Sequence, residues 1–114
     1  MSKRAIGLYV DDIKESITRI EAYVKDLTFD VFQSDKKTID AVVRNLEIIG
    51  EAVKNLPVEI KEKHQGIEWR KIAGMRDRLI HGYFVVDFEK VWKTLKDDLP
   101  PLAEVIKRIL KEIP

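Results

Sequence analysis

The chain has 114 residues, 45% of them apolar and 36% charged, which is room for a single domain over residues 1–114 and not for two. Twenty-one Lys and Arg against 20 Asp and Glu leave a formal charge of +1, so no global basic field draws the protein onto nucleic acid or a membrane, and any such affinity has to be local. Cysteine is absent, which excludes disulfides, thiolate nucleophiles and thiolate-bound metal and fits a reducing compartment. The longest run without Asp, Glu, Lys or Arg, Leu79 to Val86, is too short to cross a bilayer. The apolar stretch Ala5 to Val10 meets Asp11 and Asp12 before it can serve as a signal-peptide core. A cytoplasmic, soluble protein with no membrane partner is therefore expected. The charged fraction exceeds the roughly 25% usual for globular domains, as it does both in helical proteins and in thermophile proteins.

Ile6, Val10, Ile13, Ile17, Ile20, Val24 and Leu27 alternate by four and three residues with charges between them, the pattern of one long amphipathic helix. Thr28 to Lys37 shows no sustained period and reads as a connection, with Asp35 able to cap the next helix. That second helix spans Thr38 to Leu56 on Ile39, Val42, Val43, Leu46, Ile49, Val53 and Leu56, and stops before Pro57. Gly50 inside it implies close approach of another backbone, the alternative being a tolerated imperfection. Pro57 to Glu68 is a loop holding at most a short helix, Val58 to Lys63. Trp69 to Ile80 supports a third helix, with Gly82 as its stop signal. Asp87 is placed to cap a last helical region running through Phe88, Val91, Trp92, Leu95, Leu99, Leu102, Ile106, Ile109 and Ile113. Pro100 removes a hydrogen bond there, so a kink or break near Asp98 is expected. No segment alternates like a strand. The expected fold class is all-α, an antiparallel bundle of four main helices with the last one kinked or broken near Pro100.

The unusual chemistry lies in Trp69 to Phe84, WRKIAGMRDRLIHGYF, where Arg70, Lys71, Arg76 and Arg78 against Asp77 alone give a local charge of +3. Such a cluster suits anionic phosphate. His81 is the one side chain within it whose ordinary pKa allows proton exchange near neutral pH. On a continuous helix Asp77 and His81 share a face at i, i+4, so the carboxylate can orient the imidazole and favour its charged form. Arg76 lies five residues from His81, about 140° around an ideal helix, and meets it only if the last turn frays at Gly82. On spacing alone, His81 reads first as a helix-terminal histidine favoured by the dipole. Arg76 and Arg78 read as salt-bridged surface residues, and Tyr83 as packing with its hydroxyl at the edge.

The segment Arg76-Asp77-Arg78-Leu79-Ile80-His81-Gly82-Tyr83 matches the R-x-x-x-x-H-x-Y motif of the HEPN superfamily and resembles HepT-like toxins in particular. The likeness extends to Arg44-Asn45-Leu46-Glu47-Ile48-Ile49-Gly50-Glu51-Ala52, to Trp69 with Ile72-Ala73-Gly74-Met75, and to Val86-Asp87 followed by Val91-Trp92 and Leu99-Pro100, covering about Ile6 to Leu102. The resemblance implies a HEPN-like helical bundle, a homodimer with both motifs near one cleft, metal-independent ribonuclease activity on RNA, and pairing with a minimal nucleotidyltransferase antitoxin. It assigns catalysis to Arg76 and His81 and makes Tyr83 the residue that the transferase silences by AMPylation.

Metal-free RNA cleavage needs a base for the 2′-hydroxyl, an acid for the leaving 5′-oxygen and a cation for the charged phosphorane. On this reading His81 is the base or acid, Arg76 the phosphate clamp, Asp77 the orienter, and Arg78, Arg70 and Lys71 contacts for RNA phosphates. A two-fold dimer supplies the second histidine that both proton transfers require. No metal and no cofactor is expected. Glu47 and Glu51 at i, i+4, with Asp40 on the same helix, lack a further ligand at matching spacing, so they read as a solvated or salt-bridged face. His64 is expected at the surface, and Trp69, Trp92 and Phe88 in the core. Phosphate loops, zinc spacings and G-x-S-x-G are absent from the sequence. The alternative reading is a non-catalytic interaction module, the same bundle binding a nucleotidyltransferase and nucleotide or RNA.

Overall fold

The computed structural model describes residues 2–81 and 85–113, with His81 described by its backbone alone. The first long stripe folds as α1, Lys3–Val24, capped by the Ser2 hydroxyl accepting from the Ala5 N–H at 3.1 Å. Its buried members Val10, Ile13, Ile17 and Ile20 face the core. The helix stops short of Leu27 because Asp26 takes a left-handed φ of 62°, a conformation that Asp tolerates better than most side chains.

The stretch expected as an irregular connection contains a short helix, α2, Phe29–Ser34. One turn and a half is too short to show a period. It is held instead by the Thr28 hydroxyl at its N-terminus and by Phe32, which is fully buried and packs with Phe29 against Trp92, the two ring centroids lying 5.0 and 6.1 Å from the indole. Asp35 then caps α3, Lys36–Lys54, accepting from both the Thr38 N–H and its hydroxyl. α3 packs along α1 and carries the short elements of the second half of the chain on another face. α4, Val58–Lys63, forms as expected.

The third expected helix is broken into α5, Trp69–Ala73, and α6, Met75–Leu79, with Gly74 between them. Nor does it reach His81. Ile80 is extended at φ −125° and ψ 123°, and β1, Ile80–His81, pairs antiparallel with β2, Val85–Val86. This two-stranded hairpin corrects the reading that the chain has no strand. Its cause is visible in the backbone: the Leu79 carbonyl, which in a continued helix would accept from residue 83, accepts instead from the Asp87 N–H at 2.9 Å. Gly82, expected as the stop signal, lies outside the described residues.

Asp87 caps α7, Phe88–Lys93, by accepting from the Lys90 N–H. Instead of breaking near Asp98, the chain keeps helical angles at Thr94, Asp98 and Leu99 and widens into a π turn, Thr94–Asp98, that feeds α8, Leu99–Glu112. Pro100 and Pro101 are the second and third residues of α8, directly after the π turn. Leu99, Leu102, Ile106 and Ile109 close the core, with α8 against α1. Among the described residues the architecture is thus helical apart from the hairpin. Two side chains depart from their expected places. Phe88 is 38% exposed: it is the first residue of α7 and lies outside the core that Val91 joins. His64 is only 11% exposed: its carbonyl and that of Lys61 accept from the Trp69 indole, and Nε2 faces Glu112 on α8 at 4.0 Å. No described helix is long and apolar enough to cross a membrane.

Candidate active site

A groove of about 510 Å³ runs between α1, α3 and the α5–α6 junction. Its wall from α3 is a stripe of charged residues, two acids flanked by two bases, Arg44, Glu47, Glu51 and Lys54, spaced at three and four residues so that all four share one helix face. Arg76 and Asp77 border it from α6, and Tyr9 and Asp12 from α1. The floor depends on Gly50. A Cβ built there would lie 3.2 Å from the Ile72 carbonyl oxygen and 3.3 Å from that of Ala73, so the α3 backbone approaches the end of α5 more closely than a side chain comfortably allows. The close approach inferred from the sequence is therefore present, and it fixes α6 beside α3.

Arg76 is 54% exposed, and Glu47 is the one carboxylate within 4.0 Å of it among the described residues, with Oε2 at 3.8 Å from Nε. Asp77 is exposed on the same rim. The helical geometry expected for Asp77 and His81 does not exist, because α6 ends at Leu79 and His81 belongs to β1. The His81 side chain and all of Tyr83 lie outside the described residues.

The basic cluster read from the sequence is dispersed rather than concentrated. Arg78, only 29% exposed, turns to the π turn, where Nη2 lies 3.4 Å from the Thr94 hydroxyl and 3.9 Å from Asp98. Lys71 pairs with Asp98 at 3.4 Å and with Glu68 at 3.5 Å. Arg70 borders a separate shallow groove beside Val58, Lys61 and Trp69. Two short helices joined at a glycine do not keep one face in register, so of the four cations only Arg76 opens onto the groove between α1, α3 and the α5–α6 junction. Sequence reasoning gave no place at the groove to Arg44, Lys54, Tyr9 or Asp12. The spacing of charges at three and four residues along α3 was the available signal for the first two. Among the described residues no group of three or more His, Asp or Glu is arranged to hold a metal ion.

Fold and groove together define a small, almost entirely helical protein with a charge-lined cleft at a helix junction. A family model described as HepT-like, Ribonuclease HepT-like, matches residues 13–109, and the chain belongs to that family. It is 48% identical over 109 residues, 96% of its length and 99% of the relative's, to the probable ribonuclease HepT of Thermococcus cleftensis. It is 44% identical over 104 residues, 91% of this chain and 93% of the other, to a protein of Caldanaerobacter subterraneus subsp. tengcongensis named provisionally as an RNase. A Methanocaldococcus jannaschii protein named as a gamma-glutamylcyclotransferase and, provisionally, an RNase is 47% identical over 111 residues; these are 97% of this chain but 50% of that protein, so the chain spans half of it. No solved structure matches the chain.

Proposed function

We propose that the protein is the toxin of a toxin–antitoxin pair, a metal-independent ribonuclease that cleaves RNA with Arg76 and His81 and whose partner is a minimal nucleotidyltransferase. The ribonuclease names of the family and of its relatives support the reaction class. The observation that carries the assignment to this region is the position of Arg76, exposed at the lip of the groove in a chain segment that reaches His81 five residues later.

In this mechanism a histidine takes the proton of the 2′-hydroxyl and the 2′-oxygen attacks phosphorus. The bond to the 5′-oxygen then breaks, and an acid protonates that leaving group, so that a 2′,3′-cyclic phosphate and a 5′-hydroxyl result. Arg76 neutralises the charge that builds on the phosphoryl oxygens. Two proton transfers and one motif histidine per chain make a homodimer the working unit, with two motifs at one cleft. Asp77 stays near this chemistry as an exposed carboxylate beside Arg76, no longer as a helical neighbour of His81. Arg70, Lys71 and Arg78 contact phosphates away from the cut, Lys71 and Arg78 only on leaving Asp98. AMP joined to Tyr83 through a phosphodiester adds negative charge and bulk within the motif and competes with RNA for Arg76. The setting is the cytoplasm.

The test uses one oligonucleotide as RNA and as its all-deoxy counterpart, both in EDTA. The RNA is expected to be cut to cyclic-phosphate ends and the DNA left whole, whereas equal cleavage of both would overturn attack by the 2′-oxygen. The regulatory half is tested by mass: wild-type protein treated with the cognate transferase and ATP gains AMP, and Tyr83→Phe does not.

A further inference from the structure

Arg76 meets Glu47 through Nε, the inner edge of the guanidinium. A guanidinium offers two bidentate edges, and a carboxylate at Nε leaves the terminal Nη1 and Nη2 pair for a phosphate. The two residues face each other because of backbone, not side-chain, placement. Gly50, one turn beyond Glu47 on α3, lets the helix press on the Ile72 and Ala73 carbonyls, and Arg76 follows three residues after Ala73. The rest of the α3 stripe is also disposed along the groove, but Glu47 alone among the described carboxylates lies within 4.0 Å of Arg76.

We propose that Glu47 is a positioning residue for the ribonuclease reaction, aiming the Arg76 guanidinium so that its terminal nitrogens meet the phosphate being cleaved. The inference rests on the reading of Arg76 given above. Glu47 touches neither RNA nor a reacting atom. An arginine on an exposed helix rim otherwise samples many rotamers, and a carboxylate facing one edge biases it toward those that aim the terminal nitrogens into the groove before substrate arrives. The pair itself is solvent-facing and contributes little to stability. Its effect belongs in turnover.

The experiment compares wild type, Glu47→Ala and Glu47→Gln for RNA cleavage in EDTA, with thermal unfolding of each. Glu47→Ala is expected to lower kcat about 10- to 100-fold, the cost of misplacing a catalytic group, with KM within about threefold and an almost unchanged Tm. Glu47→Gln is expected to recover part of the loss, since its amide oxygen keeps a partial negative charge facing Nε at the same reach. Wild-type rates in Glu47→Ala, a change confined to KM, or a kcat loss matched by a fall in Tm without rescue by glutamine would each overturn the positioning role. Absence of cleavage by wild type itself would overturn the ribonuclease reading and this role with it, which separates that failure from the others.

Discussion

The scaffold of α1, α3 and α8 and the segment from Trp69 to Asp87 are built by different rules. The first consists of helices of 22, 19 and 14 residues, each with an apolar stripe long enough to secure it against its neighbours. The second, among the described residues, is two five-residue helices and two two-residue strands, none of which would persist in isolation. These short pieces are held by what they touch: Gly50 beneath Ile72 and Ala73, the Trp69 indole on two carbonyls, and the Asp87 N–H on Leu79. The contrast teaches that the candidate site is mounted on a periodic scaffold without itself being periodic, so stability and activity should respond to different substitutions.

The largest effect on stability should come from the scaffold. Leu102, fully buried on α8, is expected to cost about 2–5 kcal/mol on substitution by alanine, read from urea unfolding. A loss below about 1 kcal/mol would mean that the stripe does not carry the fold. Next comes the anchor of the irregular segment. Trp69→Phe keeps an aromatic ring but removes the indole N–H shared by the Lys61 and His64 carbonyls, which each retain a backbone donor, and the lost bond together with the smaller ring is expected to cost about 1–3 kcal/mol. Gly50→Ala separates the two regions most sharply. The added methyl meets two backbone oxygens, but the junction at Gly74 can yield by tenths of an ångström and alanine improves the helix by about 1 kcal/mol. Its Tm should therefore change little, while cleavage falls because α6 and Arg76 have moved relative to Glu47. Unchanged cleavage would show that the close contact does not set the site.

The smallest expected effect is a pH dependence at α3. The Thr38 hydroxyl, then the Thr38 N–H, holds the Asp35 carboxyl below its ordinary value of 3.8. A lowered folded pKa gives stability that is present above the unfolded value and lost as pH falls through the folded one. The stability difference between wild type and Asp35→Ala should accordingly shrink as pH drops below about 3.8. A difference that persists at about pH 2 would assign it to something other than the carboxylate.

Legibility in the sequence divides along the same line. The stripes of α1, α3 and α8, the Asp35 and Asp87 caps and the meaning of Gly50 could be read because side-chain spacing or local hydrogen bonding determines each of them. α2 and the hairpin were not legible, since elements of two to six residues carry no period and are decided by tertiary contacts such as Phe32 on Trp92. The burial of His64 depends on α8, far along the chain, and left no local signal. At the candidate site the sequence carried no signal for how its charged residues on α5 and α6 are arranged. Four cations within nine residues looked like one cluster, but the break at Gly74 sends Arg78 and Lys71 to Asp98 and leaves Arg76 with Glu47.

The most direct measurement is RNA cleavage in EDTA by wild type beside His81→Ala, the two purified identically and shown free of AMP by intact mass. Cleavage by wild type and none by the variant is the expected result. Equal cleavage by both, or none by a wild type whose Tyr83 is unmodified, would contradict a ribonuclease built on Arg76 and His81.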